Sequence, residues 1–310
     1  MTVRAAVDRA LDHAQAAFTR ACELDVLVRK PGNVSVHSSG HGMDAALFLA
    51  SAAAAAGPLC TPGARVGSRI EAAVQATWAV AGCNTNLGIL LLCAPLASAV
   101  ERRPQARGAG PLRTALIEVL ADLDQDDARA AYRAIARANP GGLGTAADQD
   151  VHGVPSVDMR TAMALAADRD SIAMQYRDGY PLVFDVGLIA LGTLGNLTPR
   201  PGKSRVPADA PVDPPDSFEV AAVQRAYLAL LGSVPDSHIA RKRGLQVAEA
   251  VMRQARPWRA RALSGEDLDA DPDFRAWDAE LKADGINPGT TADLLVASLM
   301  LAGLVRPGVP

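Results

Sequence analysis

Leu87-Gly88-Ile89-Leu90-Leu91-Leu92-Cys93-Ala94-Pro95-Leu96-Ala97-Ser98-Ala99-Val100 is the longest apolar run in the chain. It is interrupted by Pro95 and is shorter than the roughly 20 residues that a bilayer-spanning helix needs, so it reads as a helix buried in a protein core. The same three- and four-residue steps recur outward from it. Val7, Leu11, Ala14, Phe18, Cys22 and Leu24 mark a first helix over about residues 3–28. Further helices are expected near 43–56, 68–80, 85–102, 111–122, 126–138, 158–177, 181–195, 217–233, 237–255, 272–283 and 290–305. No period-two run and no Asn-Gly hairpin signal stands out. With 49% hydrophobic but only 4% aromatic residues, the core must come from Ala, Leu, Val and Ile, whose small members favour close helix–helix contact over a β-sandwich. The expectation is an all-α, single-domain multi-helix bundle over residues 1–310.

Pro-, Gly- and Asp-rich breaks fall at 104–110, 139–155, 198–216 and 264–271, and the Pro-rich segment 198–216 is long enough to be a lid as well as a linker. A net charge of -3 gives no long-range attraction to nucleic acid or an anionic membrane, and neither is expected as a partner. Cys22, Cys60, Cys83 and Cys93 lack C-x-x-C spacing and sit in or beside apolar segments, as reduced core thiols of a cytoplasmic protein would. The start of the chain is charged and helix-periodic, without the apolar region of a secretion signal.

Short polar clusters at the edges of apolar helices carry the chemistry. Lys30-Pro31-Gly32-Asn33 follows the first helix: Pro31 stops it, Gly32 permits a turn, and Lys30 stands either as a dipole-facing cation or as an anion ligand. Under the second reading Lys30→Ala weakens ligand binding with little loss of stability. Asn84-Thr85-Asn86 precedes the apolar helix with more amide and hydroxyl groups than one cap requires. Asn287-Pro288-Gly289-Thr290-Thr291-Ala292-Asp293 fits a capping box with Thr290 at N-cap, while Asn287 and Thr291 could face a cleft. In Asp236-Ser237-His238-Ile239-Ala240-Arg241-Lys242, Asp236 or Ser237 can cap a helix whose His238, Arg241 and Lys242 share one face. Arg169 adds a further cation. Helix starts with free N–H groups suit phosphate, so a polyphosphate ligand is expected in a cleft formed by helix N-termini and connecting loops. His41, Asp44 and Asp150 are candidate metal ligands, but Gly40 and Gly42 make the His41–Asp44 stretch a loop. Mg2+ carried in with a nucleotide therefore fits better than a permanent metal.

Taken in this order, Lys30-Pro31-Gly32, Asn84-Thr85-Asn86-Leu87-Gly88, the 236–244 segment and Pro288-Gly289-Thr290-Thr291-Ala292-Asp293-Leu294-Leu295 resemble the triphosphoribosyl-dephospho-CoA synthase family. The resemblance covers about residues 15–305 and implies a helical enzyme. It implies transfer of the triphosphoribosyl group of ATP to a hydroxyl of 3'-dephospho-CoA, with release of adenine. Mg2+ would accompany ATP, with Lys30, Arg241, Lys242 and Asp44 suited to the phosphates and their metal. Asp236, His238 and Asp293 are the candidates for the base at the acceptor hydroxyl. Asn86 and Leu87 stand where family members commonly carry His and a cation, and 169–176 and 236–242 look more like a divergent branch found in methylotrophs and archaea. A (phospho)ribosyl transfer to a tetrahydromethanopterin precursor is accordingly the alternative. A helical metal-dependent phosphohydrolase ranks lower, since no His is followed directly by Asp. A non-catalytic scaffold would scatter the polar clusters over the surface, whereas an enzyme gathers them. The oligomeric state is open, with a homodimer as one option.

Overall fold

The computed structural model describes residues 2–37, 45–141, 149–192 and 213–305. Its elements are α1 (Val3–Leu27), α2 (Ala45–Leu59), α3 (Val66–Ala81), α4 (Leu87–Arg102), α5 (Ala109–Ala121), α6 (Gln125–Ala138), α7 (Met159–Ala164) and α8 (Ser171–Asp178). A π-helical turn (Leu182–Gly187) leads into α9 (Leu188–Leu191). Then come α10 (Ser217–Leu231), α11 (Ser237–Arg243), α12 (Leu245–Leu263), a 3-10 turn (Leu268–Ala270), α13 (Pro272–Ala283) and α14 (Gly289–Leu304). No β-strand occurs among the described residues. The expected all-α class holds.

Two helices form the axis of the core because they are apolar around their whole circumference. In α4 almost every residue from Leu87 to Val100 is buried, and in α14 burial runs from Thr290 to Leu304 with few exceptions. They pack on each other, and both also pack on α1 and α8. Around this pair, α2 and α3 close one side and α10 with α12 closes the other. Small residues make the close approaches possible. At Gly67 of α3, an added methyl carbon would lie 2.6 Å from the Asp127 Cα of α6, so α3 and α6 touch backbone to backbone.

Helix starts are set by short acids. Asp124 and Asp216 form reciprocal capping boxes with Asp127 and Glu219, and Asp158, Asp170, Asp236 and Asp271 each accept from a backbone N–H of the helix they open. These caps also divide segments that periodicity joins. The expected helix 158–177 is two, because Asp170 opens α8 afresh. The expected helix 237–255 breaks at Gly244, whose φ of 94° no helix accommodates. The expected capping box at Thr290 is absent: α14 begins at Gly289, and the Asp293 side chain turns toward α4. Most of the expected 198–216 lid, together with His41 and Asp44, lies outside the described residues.

Gly67→Ala should destabilise the fold by about 1–3 kcal/mol, the usual cost of overpacking a tight contact. The expected observation is a lower urea midpoint with an unchanged slope.

Candidate active site

Four helix N-termini converge at one end of the α4–α14 pair: those of α4, α8, α11 and α14. Between them and the ends of α6 and α7 opens a cleft of about 880 Å³. Its polar wall carries Asn84, Thr85 and Asn86 from the start of α4, His238, Arg241 and Lys242 from α11, and Asn287, Thr290 and Asp293 from α14. Asn33, Asp150 and Arg169 also line it. Clusters from the first, middle and last parts of the chain thus meet, as an enzyme requires and a scaffold does not.

Asp236 ties two of these helices together. One carboxylate oxygen accepts from Ile239 N at 2.9 Å and so caps α11, while the other accepts from Thr291 N and Thr291 Oγ1, both at 2.7 Å. Burial pushes its pKa up and these hydrogen bonds pull it back. Asp236 and Thr291 lie behind the cleft wall rather than in it, which makes them a brace and removes both from direct contact with a ligand. Asp170 does similar work for α8: one oxygen accepts from Ile172 N and Ala173 N, and the other meets Arg241 at 3.5 Å. Ser237 Oγ accepts from Ser171 N at 2.8 Å and locks α8 to α11.

Asp293 is different. Its carboxyl keeps an edge in the cleft and packs on Gly88, where any side chain would collide with it and come within 2.8 Å of Ile172 Cδ1. Desolvation holds its pKa well above the usual carboxylate range, Asp236, Asp25 and Asp170 push it further, and Arg241 opposes them. His238 lies beside the start of α14, so close that a methyl on Gly289 would stand 3.0 Å from its Nδ1. A carboxyl with raised proton affinity on the same cleft as an imidazole is suited to proton transfer.

The Lys30-Pro31-Gly32 turn departs from expectation. Lys30 is fully buried, and its three ammonium donors meet Asp25 Oδ1 at 2.8 Å, Asn33 Oδ1, and Val34 O at 3.5 Å. No donor remains for an anion. Gly32 donates its N–H to Asp278 Oδ1 at 2.9 Å, and its φ of 79° lets the turn pass within contact of Ile286 O and Pro288. Neither residue lines the cleft; together they fix Asn33, which does.

Two polar atoms at the start of α4 are buried without a hydrogen-bond partner: Thr85 Oγ1 and Asn86 Nδ2. Asn86, though N-cap, makes no side-chain cap, and Asn84 Oδ1 takes only Leu87 N at 3.1 Å. Buried polar groups are normally satisfied, so an unpaired hydroxyl and amide on a cleft wall mark a place for ligand oxygens. Arg169 and Lys242 stand exposed at the rim without an ion-pair partner among the described residues. Asp150, also at the rim, accepts from His152 N at 2.9 Å. No cluster of three or more His, Cys, Asp or Glu with metal-holding geometry occurs among the described residues.

The sequence reading missed Asp25, Asp170 as a wall residue, and the apolar flank formed by Phe48, Trp78 and Met163. Asp25 had a signal, because Phe18, Ala21, Cys22 and Asp25 follow one helix face, and an acid on a core face needs a reason.

The ATP:dephospho-CoA triphosphoribosyl transferase family (CitG) matches residues 11–206 and 213–308, nearly the whole chain. The chain belongs to this family. It is an ATP-using transferase whose acceptor is dephospho-CoA, and the pterin-precursor and phosphohydrolase alternatives are not favoured. Among solved structures it is similar to a protein from Archaeoglobus fulgidus described as "putative triphosphoribosyl-dephospho-coA synthase", with 22% identity, a TM-score of 0.61, and coverage of 84% of this chain and 99% of that one. At that identity the likeness speaks for the fold. No curated protein matches. No helix among the described residues is long and apolar enough to cross a membrane.

Two outcomes follow for stability. Lys30→Ala strands the buried Asp25 carboxylate and should cost about 3–5 kcal/mol, reversing the expectation of an innocuous change; urea unfolding reads this directly. Asp293→Asn should stabilise the protein at neutral pH. The native state holds the Asp293 proton to higher pH than the unfolded chain does, so stability falls as pH rises from the ordinary carboxylate range through the raised value. Unfolding midpoints measured across that window should fall less steeply in Asp293→Asn than in the parent.

Proposed function

We propose that the cleft binds the triphosphate of ATP at the start of α4 and along the α11 rim, and that Asp293 takes the proton of the attacking acceptor hydroxyl. The observation that carries this reading is the pairing of unsatisfied donors with a proton-hungry carboxyl on one wall. Thr85 Oγ1, Asn86 Nδ2 and the first-turn N–H groups of α4 beyond Leu87 supply donors for phosphate oxygens. Arg169 and Lys242 supply charge at the mouth, and Arg241 can exchange Asp170 for a phosphate oxygen. The apolar flank at Phe48, Trp78 and Met163 accommodates a purine ring.

In the reaction, a C1–O bond to the acceptor hydroxyl forms while the C1–N9 bond of ATP breaks. The hydroxyl proton passes to the Asp293 carboxylate, and the departing adenine takes up a proton, for which His238 is the nearby donor. Positive charge develops on the ribose at C1, and the Asp25, Asp170 and Asp293 carboxylates that line the cleft would stabilise it, as carboxylates do in glycoside hydrolysis. Carboxylates beside a phosphate site fit Mg2+, which asks for one or two of them and takes its other ligands from phosphate and water. Asp170 would hold it, and the ion would neutralise phosphate charge. We place the reaction in the cytoplasm, where ATP is available and cysteines stay reduced.

Incubation with Mg-ATP and dephospho-CoA should release free adenine, detected by chromatography, in step with loss of the acceptor. Asp293→Asn should lower kcat by roughly 10²- to 10⁴-fold, the usual contribution of a positioned base. Formation of ADP or phosphate without adenine would overturn the transfer reading.

A further inference from the structure

Lys30, Asn33 and Asn287 form a directed chain. Lys30 Nζ donates to Asn33 Oδ1, and Asn33 Nδ2 donates to Asn287 Oδ1 at 2.9 Å. An ammonium has donors and no acceptor, so the atom of Asn33 that faces it must be the carbonyl oxygen. That leaves the Asn33 amide nitrogen for Asn287, and Asn287 must answer with its own oxygen. Its NH2 group then points away from Asn33. Asn287 lines the cleft, and among the described residues its Nδ2 has no protein partner. Lys30 and Asn33 are both at least nine-tenths buried, so neither can turn to water to escape this order.

We infer that Lys30 is a positioning residue: it fixes the polarity of the Asn33–Asn287 amide pair so that Asn287 presents an NH2 donor to an anionic ligand oxygen. The role rests on the reading of the cleft as a triphosphate site. It accounts for burying a lysine at all, since a neutral residue in its place would let Asn33 rotate by half a turn at little cost and present the cleft with either donor or acceptor. Asp25 completes the device by meeting the same ammonium at 2.8 Å. Phosphate oxygens accept hydrogen bonds only, so a reversed pair would set the Asn287 oxygen against them.

Asn33→Asp tests the polarity without removing the buried Lys30–Asp25 pair. The new carboxylate still accepts from Lys30, but its other oxygen accepts as well, so Asn287 must rotate and donate inward. In protein labelled with 15N at asparagine, the two NH2 groups are assigned by their loss in Asn33→Asp and Asn287→Asp. The parent should show a protected Asn33 NH2 that ignores inorganic tripolyphosphate and a water-exchanging Asn287 NH2 that shifts on its addition. In Asn33→Asp the Asn287 NH2 should become protected and lose its response, and the Kd for tripolyphosphate should rise roughly tenfold or more, as loss of a hydrogen bond to a charged group implies. An Asn287 NH2 that is protected before tripolyphosphate is added, or that responds equally in parent and Asn33→Asp, overturns the inference. Adenine release by the parent is measured in parallel. Its absence with the NH2 pattern intact removes the transfer reading, whereas its presence with the pattern missing removes only this one.

Discussion

The site depends on how one carboxylate, that of Asp236, is satisfied. Its two oxygens take two backbone N–H groups and a hydroxyl from the starts of α11 and α14, helices that meet far apart in sequence. Alone, a carboxylate so deeply buried would be costly. Bonded in this way it fixes the angle at which α11 meets α14, and with it the positions of His238, Arg241 and Asp293. Ser237 carries the same constraint one step further, to Ser171 and α8. A small shift in this brace would move every polar group on that wall together.

The second constraint is proximity without side chains. Gly88 lets α4 approach the Asp293 carboxyl, and Gly32 lets the first turn slide under the loop that leads into α14. In both places the missing methyl is what permits two polar segments to share one small volume. Such contacts leave little slack, since neighbouring backbone cannot move away as a flexible side chain does. The wall made by α4, α11 and α14 is therefore rigid, and rigid donors need no reorganisation as charge develops.

Much of the fold was legible in the sequence. Apolar runs with helical steps located α1, α4 and α14 closely, because these helices owe their existence to burial, and burial leaves a periodic trace. Breaks at Asp170 and Gly244 were lost because caps and left-handed glycines act at single positions inside otherwise regular patterns. For the site, Asn84–Asn86, His238 and Asp293 were found through surplus polarity at helix edges. Lys30 and Asp236 were found too, Asp236 as a helix cap as well as a candidate base and Lys30 as a dipole-facing cation or an anion ligand, and both are buried supports. Sequence reveals that a polar residue is unusual beside an apolar run; it does not reveal which way the side chain turns, and for Lys30 that depends on Asp25, five residues back on the core face of α1. Asp25 itself escaped because one acid in a helix reads as a solvated turn unless its face is traced.

Carboxylates and phosphates repel, so a cleft lined by Asp25, Asp170 and Asp293 looks ill-suited to ATP until the helix ends are sorted by how they are capped. At α8 and α11 an aspartate accepts from the first-turn N–H groups and cancels the positive end of the helix. At α4 the N-cap Asn86 makes no cap, the neutral Asn84 takes only Leu87 N, and the nearby hydroxyl and amide are unspent. Unspent donors and cations thus gather at the start of α4 and at the Arg169–Lys242 rim, while the Asp293 carboxyl packs on Gly88 beside that helix start. A substrate with an anionic tail and a sugar that turns cationic only in the transition state is matched by that division: the tail binds in the ground state, while the carboxylates act when the charge appears. On this reading the aspartates do not oppose binding, because Arg241 meets Asp170, Lys30 meets Asp25, and burial raises the proton affinity of Asp293.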